Sequence, residues 1–384
     1  MQGLKNILQT ILTLAIILGI TTTLYLYTSG YRLKKDDLNN IDLSQTGMIS
    51  TKSLPESASV YLDGKLMTAT NDTISAIEPG PHLLKIVKKG FVEWQKEIEI
   101  FPELVTDITA VLVSQSPRLD PLTNTGARKP SISPSLGKMA YFSTDKTDPG
   151  IWVIPLRGTL SLFKAAPTVA IEDTRFTKYS DGQKIEWSPD ENKLLVEAKN
   201  KIFYLIDLTK NTAETTASPE LVKKDWNLQI MEKRQEFVDK LDIPAEIKKI
   251  ALSDAAKWSP DEKKFLFTSQ TGQTIDYKVY NMEDPLPVGE KVETLVFTTN
   301  VKDPQPAITW YSDSFHLILT EGDVVGAKKG NISLIRIDGT NKTEIYSNTL
   351  MDNEVYSSPD GEKVIILTSF KSGEQTDLYT VSIR

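Results

Sequence analysis

The fold is decided by a short polar motif that recurs in front of apolar runs. It reads WSPDENK at 187–193 before LLV, and WSPDEKK at 258–264 before FLF. Related segments are SPSLGK at 133–138, WYSDS at 310–314 and SSPDGEK at 357–363. Proline sets φ at the first turn position, and aspartate bonds backbone amides two residues further on. Each copy therefore predicts a tight turn that leads into a strand.

The spacing of the motif indicates a repeated, multi-stranded unit. Its serines stand at 133, 188, 259, 312 and 358, at intervals of 55, 71, 53 and 46 residues. Each unit continues into another strand-like segment, at 151–154, 202–207, 277–280, 332–338 and 378–381. A period near fifty with several strands per unit is typical of propeller blades. The sequence therefore predicts a β-propeller over 117–384.

The number of blades follows from how the ring closes. The fifth unit ends within its third strand, so the missing outer strand is expected from 118–125, just before the first unit. We therefore predict five blades. Six remain open, because the long interval between the second and third motifs could hide a degenerate blade.

That long interval also has the pattern of a helical insertion near 218–243. Ser218-Pro219-Glu220 provides a predicted N-cap, a proline at the first helical position and an acidic first turn. An apolar stripe follows, made of Val222, Trp226, Ile230, Phe237 and Leu241. The helix is expected to pack on the edge of the propeller. The alternative is a helix that binds a partner, with Trp226 as a contact.

The repeat resembles the WD-like S-P-D-G blade of bacterial periplasmic propellers, such as the Tol-associated protein and the propeller half of prolyl oligopeptidases. The resemblance covers all five units and implies a fold without implying an activity, because propellers host unrelated functions. No G-x-S-x-G nucleophile motif occurs in the sequence.

A second β-domain is predicted over 50–113. Short strands alternate with turns at Asp63-Gly64 and at 79–81, and the runs 97–100 and 107–112 alternate in period two. The segments PESA at 55–58, VYLDGK at 60–65, PGPH at 79–82 and KKGF at 88–91 resemble the PEGA domain. Ser57 departs from the family's glycine, and MTAT at 67–70 replaces its usual G-x-T-P. The resemblance implies a small antiparallel sandwich that serves as an extracytoplasmic binding or spacer module.

The N-terminal region carries an apolar stretch. Residues 7–27 contain no charged side chain and are long enough to span a bilayer as a helix. We expect a membrane anchor over 1–33 and a polar linker over 34–49, with a cleaved signal peptide as the alternative. Arg32, Lys34 and Lys35 follow the stretch and Lys5 precedes it, so the flanking charges favour a cytoplasmic location for the later domains. The resemblances to the PEGA domain and to periplasmic propellers instead favour a location outside the cytoplasm for these domains.

Composition narrows the function. The net charge is −7, which disfavours nucleic acid as a partner, and the chain has no cysteine and only two histidines. No catalytic, cofactor-binding or metal-binding set is predicted, and no cofactor is expected. The candidate ligand or partner contacts are His82, His316, Trp226, Lys328 and Lys329. For both histidines a packing or turn role is the simpler interpretation.

These observations predict an all-β protein that binds rather than catalyses. We expect a single-pass, membrane-anchored scaffold outside the cytoplasm, whose propeller presents a surface to a protein or to cell-wall glycan. Two alternatives remain: a propeller enzyme, for example a hydrolase or lyase, and a sensor domain that faces the cytoplasm.

Overall fold

The computed structural model describes residues 2–28, 30–35, 41–156, 166–199, 201–370 and 375–384. The chain forms two compact units. One comprises Met1–Leu112 with Pro285–Glu290, and the other comprises Val113–Asp284 with Lys291–Arg384.

The first unit begins with a long apolar helix, α1 (Gln2–Thr28). Threonines bond back to carbonyls one turn earlier, as from Thr13 to Gln9 and from Thr21 to Ile17, both at 2.8 Å. These bonds satisfy the hydroxyls without polar neighbours. Two short strands follow, β1 (Tyr31–Lys35) and β2 (Ile41–Gln45), which pair antiparallel. The predicted polar linker 34–49 therefore contributes to strands, and its residues 36–40 lie outside the described part of the chain.

Seven strands then form a two-sheet sandwich. They are β3 (Gly47–Leu54), β4 (Ser59–Leu62), β5 (Lys65–Ala69), β6 (Asp72–Ile77), β7 (Gly80–Val87), β8 (Trp94–Ile100) and β9 (Val105–Val111). The sheet orders are β6-β3-β9 and β5-β4-β7-β8. Alternate residues such as Val60, Leu84 and Ile86 are fully buried between the sheets.

The predicted antiparallel sandwich is confirmed except at one pair of strands, because β3 and β9 run parallel. These are the first and last strands of the domain. The chain between them passes through the other sheet, which provides the crossover that parallel neighbours require.

Within the described residues, the second unit is a propeller of five four-stranded sheets, so five blades are confirmed. Blade I comprises β11 (Ala127–Ile132), β12 (Lys138–Ser143), β13 (Gly150–Pro155) and β14 (Thr168–Glu172). Blade II comprises β15 (Lys184–Trp187), β16 (Lys193–Glu197), β17 (Phe203–Asp207) and β18 (Thr212–Thr216). Blade III comprises β19 (Lys257–Trp258), β20 (Lys264–Thr271), β21 (Thr274–Asn281) and β22 (Glu293–Asn300). Blade IV comprises β23 (Ala307–Trp310), β24 (His316–Glu321), β25 (Lys329–Arg336) and β26 (Thr343–Thr349).

Blade V is completed from both ends of the propeller sequence. It contains β27 (Tyr356–Ser357), β28 (Lys363–Thr368) and β29 (Asp377–Ser382), and its outer strand is β10 (Leu119–Pro121). Leu119 pairs with Val381 and Pro121 with Tyr379. The predicted closure by the segment 118–125 is therefore confirmed.

The recurring motif forms the turn between the first and second strands of each blade. In blade II the Lys193 amide donates to the Ser188 hydroxyl at 2.9 Å, and the Asn192 amide donates to the Asp190 carboxylate at 3.2 Å. The predicted turn role of the motif aspartates is confirmed by these bonds. The residue that closes the turn has a left-handed backbone conformation. In blade II this residue is Glu191, with φ of 56°, a conformation that glycine adopts more readily.

Blade IV shows a shift of one position in this alignment. In each blade the backbone amide of the first turn residue donates to the backbone carbonyl of the residue five positions later. In blade IV these two residues are Tyr311 and His316, at 3.0 Å. Tyr311, and not Ser312, is therefore the counterpart of the motif serine. Two of the three motif tryptophans join neighbouring blades, because the Trp310 indole donates to the Lys257 carbonyl at 2.8 Å and the Trp187 indole to the Ser131 carbonyl at 3.0 Å.

The insertion between blades II and III contains two helices, α2 (Pro219–Asp239) and α3 (Ala245–Ala251). The helix near 218–243 is confirmed, with Ser218 at the N-cap, Pro219 at the start and Glu220 in the first turn, although the Ser218 side chain makes no capping hydrogen bond. The second helix was not predicted. The C-terminal half of α2 packs on blade III, where Phe237 meets the Trp258 ring edge-on at 6.4 Å.

Candidate functional site

The apolar surface of α1 is the most distinctive feature of the first unit. Residues Gln9–Thr28 have a mean hydropathy of 1.8 in their most apolar window, and none of that window is buried. Their 20 residues correspond to about 30 Å of helix, the thickness of a bilayer core. The helix is long and apolar enough to serve as a membrane anchor or a signal peptide.

Arg32 of β1 lies against the C-terminal end of α1. The Arg32 guanidinium lies 4.2 Å from the centre of the Tyr27 ring and donates to the Tyr27 carbonyl at 2.9 Å. A cation in this position complements the partial negative charge at a helix C-terminus. Tyrosine and arginine together are also the residues that anchor a spanning helix at a membrane–water interface.

His82 lies on β7 and binds two turns of the sandwich. Its Nδ1 is 2.6 Å from Asp63 Oδ2, in the β4–β5 turn, and its Nε2 is 2.7 Å from the Glu78 carbonyl. Both partners are hydrogen-bond acceptors, so a ring that donates to both carries two protons. Burial lowers the pKa of His82, but the two acceptors outweigh it and the pKa is raised overall. The hydrogen bond from His82, with that from the Leu83 amide, lowers the pKa of Asp63.

His316 is buried at the start of β24, and its Nδ1 lies 2.6 Å from Asp313 Oδ2. Asp313 also accepts hydrogen bonds from the amides of Phe315 and His316, at 2.8 and 3.0 Å. Burial raises the pKa of Asp313, yet the positive potential of His316 and these donors lower it overall. The arrangement holds the blade IV turn, in the position that Lys264 occupies in blade III.

Trp226 is half-buried on the side of α2 that faces the blades. Lys223, one turn earlier, pairs with Glu186 of β15 at 3.3 Å and lies 5.6 Å from the Phe203 ring centre. Trp226 therefore belongs to the packed side of the helix.

Lys328 and Lys329 are exposed at the loop between β24 and β25. Asp323 holds this loop through the amides of Gly326 and Ala327, at 2.7 and 2.9 Å. Val325 at its tip is 87% exposed. His316 lies at the other end of β24, so the structure does not bring the two features together.

The sequence did not single out Phe176, which is 91% exposed in the loop between blades I and II. Loops between blades and loops between second and third strands emerge at the same end of a propeller, because strands alternate in direction. Phe176 and Val325 therefore share one end, opposite the motif turns. A single apolar residue in a polar loop, without periodicity, is the sequence signal that marks Phe176.

Lys264 was also missed as a special residue. Its side chain is fully buried, and its ammonium donates to Asp261 at 2.9 Å and to Glu283 at 2.7 Å. It also lies 4.2 Å from the centre of the Phe315 ring. Lysine stands at the same motif position in blades I, II and V, so the sequence did not distinguish Lys264 from these other lysines.

Within the described ranges, no group of three or more His, Asp and Glu side chains is placed to hold a metal ion. The five predicted contacts are distributed between the two units: His82 lies in the first, and His316, Trp226, Lys328 and Lys329 lie in separate parts of the second. Within the second unit they do not form one site.

Comparison with protein families identifies the sandwich. Residues 46–116 match the PEGA domain. The match begins within the segment predicted as linker and extends just past β9, and it agrees with the resemblance drawn from the sequence motifs. A comparison with curated proteins found no match.

Solved structures similar to this chain include TolB from Acinetobacter baumannii, at 15% identity, with a TM-score of 0.27, covering 78% of this chain and 60% of that one. This chain thus spans less than two thirds of that TolB. A putative TolB from Agrobacterium tumefaciens is 15% identical, with a TM-score of 0.24 and coverages of 72% and 74%. Oligogalacturonate lyase from Vibrio parahaemolyticus is 9% identical, with a TM-score of 0.28 and coverages of 70% and 94%. These scores are low, so the propeller assignment rests on the observed sheet order.

Proposed function

We propose that this chain is a single-pass membrane protein that holds a PEGA-like module and a five-bladed propeller outside the cytoplasm, as a non-catalytic scaffold for a protein or cell-wall glycan. The observation that carries the proposal is the uncovered apolar surface of α1. Exposing such a surface to water costs about 25 cal/mol per Å², whereas lipid covers it. Arg32 and Tyr27 at the helix end are suited to the interface.

A binding role is supported by the structural hydrogen bonds that engage several carboxylates of the chain. The carboxylates Asp63 and Asp313 are engaged by the two histidines, and motif aspartates such as Asp190 hold backbone turns. Groups engaged in this way are poorly placed to act on a substrate. The end of the propeller that carries Phe176 and Val325 instead presents exposed apolar side chains, which favour contact with a partner.

The side of the membrane can be tested by labelling, because the chain contains no cysteine. Lys65→Cys lies in the exposed β4–β5 hairpin, and Lys5→Cys precedes the apolar stretch. In intact spheroplasts, a membrane-impermeant maleimide should label the first variant and leave the second unlabelled until lysis. The reverse pattern would place the domains in the cytoplasm and support the sensor alternative.

The binding role needs a separate experiment. The full chain in detergent should co-sediment with purified peptidoglycan or retain an envelope protein, and Phe176→Ser with Val325→Ser should abolish this binding while leaving the far-ultraviolet circular dichroism unchanged. Binding that survives in the double variant would refute the assignment of the binding surface to this end of the propeller.

A further inference from the structure

Helix α2 has two opposite sides, and only one of them packs on the propeller. The packed side carries the stripe of Trp226 and Phe237, with Lys223 paired to Glu186 and Lys233 paired to Glu262. The opposite side carries Leu221 and Leu228, which are 66% and 50% exposed. A helix that only packs on the edge of the propeller would be expected to carry polar residues on its solvent-facing side.

The outward side also carries charges that have no partner. Lys224 and Glu232 are exposed, and neither makes an ion pair or hydrogen bond within the described residues. They lie eight positions apart, about 12 Å along the helix, which is too far for them to meet in one chain. Leu228 stands midway between them. At 100° per residue, Leu221, Lys224, Leu228 and Glu232 fall on one stripe.

We propose that this stripe pairs with the same stripe of a second copy of the chain, with the two α2 helices antiparallel. With the two-fold axis opposite Leu228, the Leu228 side chain of each copy meets the partner's Leu228. Lys224 then faces the partner's Glu232, and Glu232 faces the partner's Lys224. The stripe is thus complementary to itself in charge and shape, as a two-fold interface requires.

The membrane makes so small an interface effective. Two helix stripes bury less than the roughly 1,200 Å² typical of stable complexes, so the contact is weak in solution. Under the membrane anchorage proposed above, on which this step rests, two copies held in one bilayer by α1 meet at a much higher effective concentration. The dimer is therefore a property of the membrane-bound, full-length chain.

The contact can be tested in proteoliposomes by disulfide formation, since the chain has no cysteine of its own. Leu228→Cys under mild oxidation should give on the order of tenfold more covalent dimer than Gln229→Cys, because a disulfide requires Cα atoms within about 7 Å. Gln229 is an exposed neighbour turned 100° away. Equal crosslinking of both variants, or none in either, would overturn the proposal.

Charge exchange tests the antiparallel register. In the Leu228→Cys background, Lys224→Glu and Glu232→Lys should each reduce the covalent dimer, because like charges then face each other. The double variant should restore it, and an equimolar mixture of the two single variants should favour the mixed dimer. Association through α1 alone would give the same yield of covalent dimer in all of these charge variants, and this result would contradict the proposal.

Discussion

Replacing Lys264 by methionine should destabilise the propeller more than any surface lysine replacement. The Lys264 ammonium is fully buried and donates to Asp261 and Glu283, at 2.9 and 2.7 Å. Methionine fills most of the side-chain volume but leaves both carboxylates without their cation. Burial raises the pKa of Asp261, and hydrogen bonds from Ser259, the Lys263 amide and Lys264 lower it overall. Removing Lys264 deletes one of these stabilising contributions.

The magnitude follows from the exposure of the partners. Breaking a buried ion pair by removing one member costs about 3–5 kcal/mol. The Asp261 and Glu283 side chains keep 31% and 14% exposure, so water can partly replace the lysine and the lower end applies. About 3 kcal/mol corresponds to a fall in Tm of roughly 6–12 °C for a domain of this size.

Thermal unfolding of the full chain in detergent, followed by near-ultraviolet circular dichroism, measures this loss. Trp258 and Phe315 lie beside the cluster and report on it. Lys263→Met is the matched control, because this neighbouring lysine is exposed, and its effect should stay within about 0.5 kcal/mol. Adding Glu283→Gln to Lys264→Met should recover part of the stability. Equal melting temperatures for the two lysine variants would refute the buried-charge reasoning.

Two further predictions concern the sandwich and the closure of the propeller. Since the pKa of His82 is raised by its acceptors, its contribution to stability is complete below its unfolded pKa near 6.5 and is lost as pH rises through the folded value. His82→Gln should therefore remove the decline in sandwich stability above that pH, as measured by hydrogen exchange, and an unchanged slope would contradict a raised pKa for His82. Asp377 is buried at the closing strand and accepts hydrogen bonds from Thr123, Gly126 and Gln375, at 3.0, 3.0 and 2.8 Å. Asp377→Asn should lower the free energy of unfolding by about 2 kcal/mol, because the carboxylate charge is lost and the new side-chain NH₂ group faces a hydrogen-bond donor. A loss no larger than that of Asp120→Asn, on β10, would contradict this.

The repeat made the propeller predictable, because its turn chemistry is local. Proline, aspartate and the residue after them determine the turn within a few positions, so the sequence could locate all five turns and the unfilled outer strand. The direction of β9 was not predictable in this way. A strand's period-two pattern shows which face is buried but not which neighbour it joins or in which direction.

The candidate site was harder to predict, since burial and pairing depend on contacts far apart in sequence. His316 looked like a possible contact because histidine is rare in this chain, but its role follows from Asp313 and from its place in the blade. Lys264 looked like one more exposed turn lysine, although Phe315 and Glu283 enclose it. Ionisable residues in a repeated motif can therefore have different environments in each unit.

The two ends of the propeller are suited to different tasks. At the end with the motif turns, adjacent blades are joined by hydrogen bonds, from the Ser135 amide to Glu191 at 2.6 Å and from the Asp261 amide to the Ser314 hydroxyl at 3.1 Å. A residue changed there disturbs a neighbouring blade as well as its own. Phe176 and Val325, in loops at the opposite end, are instead 91% and 87% exposed. Specificity can change there without cost to the ring, and for this reason we expect a partner to contact that end.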